Sequence, residues 1–383
     1  MPIFLEGYYG AEDTHADGAV ILEWQLLVTL MTSQEDILFE RSGVAGCVIL
    51  NRPQALNAVS HAMVLALTQQ LTAWENDPAI TRVIVTASGG RAFSAGGDLR
   101  DLYDLGRAGR HEEALDFFRA EYALNTKIKY YRKPYVALID GIVMGGGVGI
   151  SVHGSHRVAG DRFGFAMPEV GIGFFPDIGA TWFLPRLAGE LGTYCALSGE
   201  RLAADDGFAA GIATHRVASA RLAELGQALC NAVSVDATLA AFAEPIAPGP
   251  VLAQKAPIDR YFRHDRVEDI LAALDAAAAE SDAAAGFARA TVSAMRTKSP
   301  TSLKIALAQM RRGKSLDFAE CMRTEFRIVS RVMRGRDFYE GVRAVIIDKD
   351  QAPRWHPPAL EAVSAADVEQ YFAPLANELA LPC

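Results

Sequence analysis

The first forty of the 383 residues hold neither lysine nor arginine. That lack excludes the basic start of a secretory signal and the arginine-rich face of a transit peptide. The longest early apolar run, Ala19 to Leu30, is broken by Glu23 and Gln25 and is too short to span a bilayer. Met31 opens a polar stretch, Met31 to Asp36, that reads as an ordinary protein start. Residues 1–30 are therefore expected to be an N-terminal extension, disordered or an over-called start, without a function of their own. Cysteine is scarce: Cys47, Cys195, Cys230, Cys321 and Cys383 are odd in number and form no CxxC pair. A disulfide framework and a zinc site are both excluded on that count, and a reducing cytoplasm is the expected location. Basic charge is in deficit, with 37 Lys+Arg against 46 Asp+Glu and a net charge of −9. Neither nucleic acid nor a membrane is expected as a partner.

What the chain does have is apolar content, half of all residues, enough for a large core. Two early strands, Ile37 to Glu40 and Gly46 to Leu50, are separated by the turn residues Ser42 and Gly43. Asn51 to Asn57 reads as a loop, and Ser60 as the N-cap of a helix carrying Met63, Leu65, Leu67, Leu71 and Trp74. One plan then occurs twice: the strand Val83 to Thr86 enters a loop ending at Gly97 and a helix from Asp98, and Val136 to Ile139 enters Gly145-Gly146-Gly147 and a second helix. A third strand-like stretch, Phe163 to Ala166, leads to Pro168-Glu169. The turn-rich segment Pro245 to Pro250 marks a boundary. The division expected is an extension over 1–30, a core over 31–245 and a mainly helical region over 246–383.

Gly145-Gly146-Gly147 at a helix start exposes unpaired N–H groups beside the positive helix end, a setting for an anion or a developing oxyanion. Phe93 to Asp98 does the same from a parallel strand, so two loops could aim two donors at one carbonyl oxygen. The bland alternative is that these glycines only permit tight turns. Other motifs fail on their own terms. Val152 stands where a dinucleotide fingerprint from Gly147 needs glycine, Ala308 where a P-loop ending in Gly313-Lys314-Ser315 needs one, and His153 where a nucleophile elbow around Ser151 needs its last. His153 and His156 lack acidic or cysteine neighbours and read as packing or capping groups. His215 reads as a loop-ordering residue, and Trp182 and Phe183 as core or pocket wall.

Three carboxylates sit at glycine or proline turns: Asp98, Glu169 in Met167-Pro168-Glu169 and Asp177 in Phe174-Phe175-Pro176-Asp177. The last two lie in an apolar run, where burial would raise their pKa toward general acid or base use. Ala95-Gly96-Gly97-Asp98, Gly141 to Gly149 and Met167-Pro168-Glu169 together resemble the crotonase (enoyl-CoA hydratase/isomerase) superfamily. Met144 to Gly154, Phe165 to Gly179, Gly211 to His215, Lys298 to Ser302 and Phe338 to Asp350 are similar to its 3-hydroxyisobutyryl-CoA hydrolase branch. The resemblance implies an α/β fold, a superhelix of repeated strand-strand-helix units with a C-terminal helical region, and a homo-oligomer.

The resemblance further implies an oxyanion hole from the N–H groups of Ala95 and Gly146, a catalytic Glu169, and substrate-site carboxylates at Glu121 and Asp177. Ala55, Leu56 and Asn57 would receive the adenine end of coenzyme A, and Gly97 and Asp98 would also face substrate. Hydratases of this kind carry a first glutamate two residues after the glycine triplet; here that position is Gly149. The expected activity is therefore hydrolysis of a short 3-hydroxyacyl-CoA in valine breakdown, with Glu169 as nucleophile or general base. No metal and no cofactor beyond the CoA of the substrate are expected. A hydratase or isomerase is the rival activity, and a non-catalytic binding protein the rival class.

Overall fold

In the computed structural model, residues 35–246, 249–281 and 284–381 are described, and Asp36–Cys383 forms one compact unit. The expected N-terminal extension lies outside the described residues. Strands β1 (Ile37–Ser42), β2 (Ala45–Leu50), β3 (Arg82–Ala87), β5 (Tyr135–Ile139), β7 (His156–Ala159) and β10 (His215–Arg216) make a six-stranded sheet in the order β1-β2-β3-β5-β7-β10. Only the β1/β2 hairpin is antiparallel.

The short strands β4 (Ala92–Ser94), β6 (Ile142–Met144), β8 (Gly164–Ala166) and β9 (Leu202–Ala203) form a second sheet in that order. Each of β3, β5 and β7 is thus followed by a strand of the other sheet before the chain turns. The strand–loop–helix plan read from the residues passed over β4 and β6, which are three residues each, too short to leave a period-2 signal. The strand-strand-helix unit implied by the resemblance describes the chain correctly.

Residues of the larger sheet alternate between two cores, as the two-residue period of a strand requires. Val48, Leu50, Val83, Val85, Ala137 and Ile139 face the main core, while Cys47, Ile84, Val136 and Leu138 face a smaller one covered by the helices Leu222–Asn231 and Val235–Phe242. The helix His61–Asn76 is capped by the Ser60 side chain and buries Met63, Val64, Leu67, Leu71 and Trp74. Leu65, out of phase with that stripe, is 54% exposed.

Beyond Pro245 the chain is helical, and its buried residues join the main core. The helix Phe318–Val332 packs on His111–Lys129, and Pro300–Gly313 on Leu191–Ser198. Among the described residues no helix is long and apolar enough to cross a membrane.

Candidate active site

The glycine triplet follows β6, and its helix, Gly146–Gly149, is a single turn. Gly145 has φ +43, and the backbone at these positions is hemmed in. A Cβ on Gly146 would lie 2.7 Å from Glu121 Oε1 and 3.3 Å from Gly97 N; one on Gly147 would lie 2.5 Å from Ser94 O. Only glycine permits this approach. As a first-turn group the Gly146 N–H has no helical acceptor.

The partner loop corrects one expectation. Ala95 N–H donates to Leu56 O at 3.0 Å, so it is already used and cannot serve an oxyanion. Gly97 N, two residues on, has no hydrogen-bond partner among the described residues and sits beside Gly146. Gly97, not Ala95, is therefore the N–H group of this loop that is free beside Gly146. Its loop is strapped to the segment before the first helix, with Val59 N on Gly96 O at 2.8 Å and Asp98 N on Val59 O at 3.0 Å.

The other residues expected to face substrate divide between the wall of one cavity and that strap. A cavity of about 420 Å³ is lined by Ala95, Gly97, Glu121, Gly146, Glu169 and Asp177, but not by Ala55, Leu56, Asn57 or Asp98. Asn57 is buried, with Oδ1 accepting from Arg52 N at 2.8 Å and Nδ2 donating to Ser88 O and Ala92 O. Its polar atoms are occupied in holding the loop. Asp98 caps the helix Leu99–Arg107 and pairs with Arg52 at 3.0 Å. Ala55 ends a 3-10 turn, and Leu56 supplies the carbonyl that takes up the Ala95 N–H.

Glu169 opens the 3-10 turn Glu169–Ile172 after β8 and is 6% exposed; its Oε2 has no partner. Its other oxygen lies 3.5 Å from where a Gly145 Cβ would stand, facing the glycine loop. Glu121, on the helix His111–Lys129, is also buried with one unpartnered oxygen. Asp177 accepts from Tyr122 Oη at 2.9 Å. Burial, reinforced by the charge of Asp177, pushes the carboxyls of Glu169 and Glu121 well above the usual carboxylate range. Burial likewise lifts Asp177 to about 7, against the opposing effect of the Tyr122 hydrogen bond.

Gly149 has no room for a carboxylate. A Cβ there would lie 2.8 Å from Asn125 Nδ2 and 3.0 Å from Ile178 Cβ. The space that a second acid would need is filled by side chains.

Sequence reasoning missed three groups. Glu325, buried on the helix Phe318–Val332, accepts from Gly179 N at 2.7 Å and Thr181 N at 2.9 Å, and burial beside Asp177 lifts it to about 8. The available signal was a lone carboxylate in phase with Met322, Phe326 and Val329. Among the described residues Lys298 is the single cation on the cavity wall, its pKa lowered by burial. Val345 and Ile346, in a π-helical turn over Arg343–Ile347, close the wall from the C-terminal part.

The histidines read as bland groups have structural partners. His153 is buried with Nε2 2.7 Å from Ile178 O, His156 meets Asp236 at 2.8 Å, and His215 lies in β10 rather than in a loop. Among the described residues no cluster of His, Cys, Asp and Glu could hold a metal ion. Phe183 is core, whereas Trp182 is half-buried beneath Lys129.

The chain is 44% identical over 346 residues to the mitochondrial 3-hydroxyisobutyryl-CoA hydrolase of Xenopus tropicalis, covering 89% of this chain and 90% of that one. It is 43% identical over 369 residues to the enzyme of that name from Rattus norvegicus, covering 94% of each. A solved structure described as a carnitinyl-CoA dehydratase from Mycobacterium thermoresistibile superposes with TM-score 0.85 at 40% identity, covering 91% of this chain and 99% of that one. The enoyl-CoA hydratase/isomerase family model matches residues 45–372. With the two-loop donor pair and the buried Glu169 in one cavity, the chain belongs to the enoyl-CoA hydratase/isomerase family.

Proposed function

We infer that the chain hydrolyses a short 3-hydroxyacyl-CoA thioester, 3-hydroxyisobutyryl-CoA, to 3-hydroxyisobutyrate and CoA, a step of valine breakdown. The observation that carries this reading is the buried carboxylate of Glu169 facing the glycine loop, beside the N–H groups of Gly97 and Gly146, which have no hydrogen-bond partner among the described residues. The packed surroundings of Gly149 exclude a second acid from the place where water addition would need it.

In this reading the thioester oxygen accepts from Gly97 and Gly146, which hold it as negative charge develops. With Glu169 as general base, it takes a proton from water as the water oxygen bonds to the carbonyl carbon. The tetrahedral oxyanion then collapses, the C–S bond breaks, and the departing sulfur receives that proton. With Glu169 as nucleophile, its oxygen bonds to the carbonyl carbon, the C–S bond breaks and CoA leaves as thiolate; water then opens the resulting mixed anhydride, restoring the Glu169 carboxylate, releasing the acid and supplying the proton that the thiolate takes up. Single-turnover hydrolysis in ¹⁸O-water separates the two, since only the second route places label in Glu169. Glu121 and Asp177 would then hold the 3-hydroxyl group, and Lys298 the anionic part of CoA. No cofactor is needed in either route.

The test of the activity is thiol release from 3-hydroxyisobutyryl-CoA set against loss of the enoyl double bond in crotonyl-CoA. Faster turnover of crotonyl-CoA would overturn the hydrolase assignment in favour of the hydratase activity that the description of one structural relative names. A reducing compartment suits the four cysteines among the described residues, which are free and buried. The named relatives are mitochondrial, and cell fractionation decides between that compartment and the cytoplasm expected from composition.

A further inference from the structure

A second cavity, of about 500 Å³, shares no lining residue with the Glu169 site and is lined by Lys129, Lys133, Arg157 and Arg186, with no aspartate or glutamate among the described residues of its wall. The four cations come from separate places: the end of the helix His111–Lys129, the loop after it, β7, and the 3-10 turn Leu184–Arg186. None is neutralised across the cavity. Arg157 donates only to backbone carbonyls, Nε to Ile212, Nη1 to Gly154 and Nη2 to Gly211. Arg186 likewise donates to Trp182, Gly313 and Leu316 carbonyls, and Lys133 to those of Trp74 and Asp77.

Lys129 has no hydrogen-bond acceptor among the described residues. Its Nζ stands 3.7 Å from the centroid of the Trp182 ring, and the Arg186 guanidinium lies 4.8 Å from the same centroid. Counting N–H groups, Lys129 keeps all its donors and Arg157 and Arg186 each keep two beyond those engaged. Uncompensated like charges raise each other's cost. The Lys129 ammonium is held below its ordinary pKa by burial and then by Arg157 and Arg186, and His153, on the same wall, is driven down to about 3 by burial and then, against its bond to Ile178, by Lys129 and Arg157.

We propose that this cavity binds a small, multiply charged phosphate anion. A diphosphate group offers the acceptors the free donors lack. The three-donor ammonium and the forked guanidinium suit tetrahedral oxygens approached from several sides. The site is independent of the thioester chemistry: its lining shares no residue with the Glu169 cavity.

The test is calorimetric titration of the full chain with inorganic pyrophosphate, ionic strength held constant with sodium chloride. Saturable one-to-one binding is expected, weakened about tenfold or more in Lys129→Gln and retained in Lys129→Arg. Should Lys129→Gln fail to fold, Arg186→Gln carries the same comparison. Lys298→Gln, which removes the cation of the other cavity, should leave binding unchanged. Absence of saturable binding, binding untouched in both Lys129→Gln and Arg186→Gln, or binding lost in Lys298→Gln would each overturn the proposal.

Discussion

At the scale of single residues the site is governed by burial of carboxyl groups. In the proposed reaction Glu169 serves as base or nucleophile only when ionised, and its surroundings raise its pKa. The expected pH profile of kcat/KM therefore rises with pH; a rate that is flat or falling from acid to neutral pH would count against the role. Glu169→Gln should lower thiol release by about 10²–10⁴-fold while leaving the thermal unfolding curve in place. Asp177 is a cleaner reporter of its own environment. The Tyr122 hydroxyl favours the ionised form, so Tyr122→Phe should move the Asp177 carboxyl above about 7, read by carbon NMR titration of the labelled side chain. An unmoved or lowered value would show that the hydrogen bond does not operate in solution.

At the scale of elements, the loop that carries Gly97 depends on neighbours outside the cavity wall. The Leu56 carbonyl holds the Ala95 N–H, Val59 holds the Gly96 carbonyl and the Asp98 N–H, and the single turn after β6 fixes Gly146 from the other side. Gly146→Ala drives a methyl into Glu121 and the Gly97 amide, and a loss of about 10²–10³-fold in kcat is expected, as for removal of one oxyanion donor. Gly149→Glu, which restores the residue type of a hydratase, should not restore hydration. It presses on Asn125 and Ile178 and should cost about 1–3 kcal/mol of stability, measured by urea denaturation. Appearance of crotonyl-CoA hydration in that variant would refute the packing argument.

Across the whole molecule, the C-terminal helices are part of the site and of the core at once. Glu325 holds the turn after Asp177, and Val345 and Ile346 wall the cavity. Residues from both sides of Pro245 share the main core, so calorimetry should show one cooperative transition for the described unit. The carboxyl cluster adds a pH dependence of definite sign. Glu325, at about 8 in the folded chain against 4.5 ordinarily, contributes stability that is fully present below its ordinary pKa. That contribution is lost as pH rises through about 8. Asp177 acts in the same sense up to about 7. Tm should therefore fall from mildly acid to mildly alkaline pH on account of this cluster, and Glu325→Gln should flatten the fall. An equally steep fall in that variant would show that Glu325 titrates normally.

Local order determined what could be read without coordinates. The Ser60 cap, the two-residue period of the long strands, the crowded glycine triplet and the Pro168-Glu169 turn are properties of neighbouring residues, and they were legible as such. Glu121, Glu169 and Asp177, expected at the site on the family resemblance rather than on spacing, line one cavity. Tertiary structure alone decided which N–H groups are free. Ala95 and Gly97 differ in sequence by two positions and in function by one hydrogen bond, because Leu56, which is distant in sequence, takes the first. The same holds for Asn57 and Asp98, whose polar atoms are consumed by Arg52 and the loop, and for Glu325, brought to Asp177 across 148 residues of intervening numbering. Hydrogen-bond satisfaction and desolvation depend on every group within a few ångströms, and such neighbours are set by the fold rather than by adjacency in the chain.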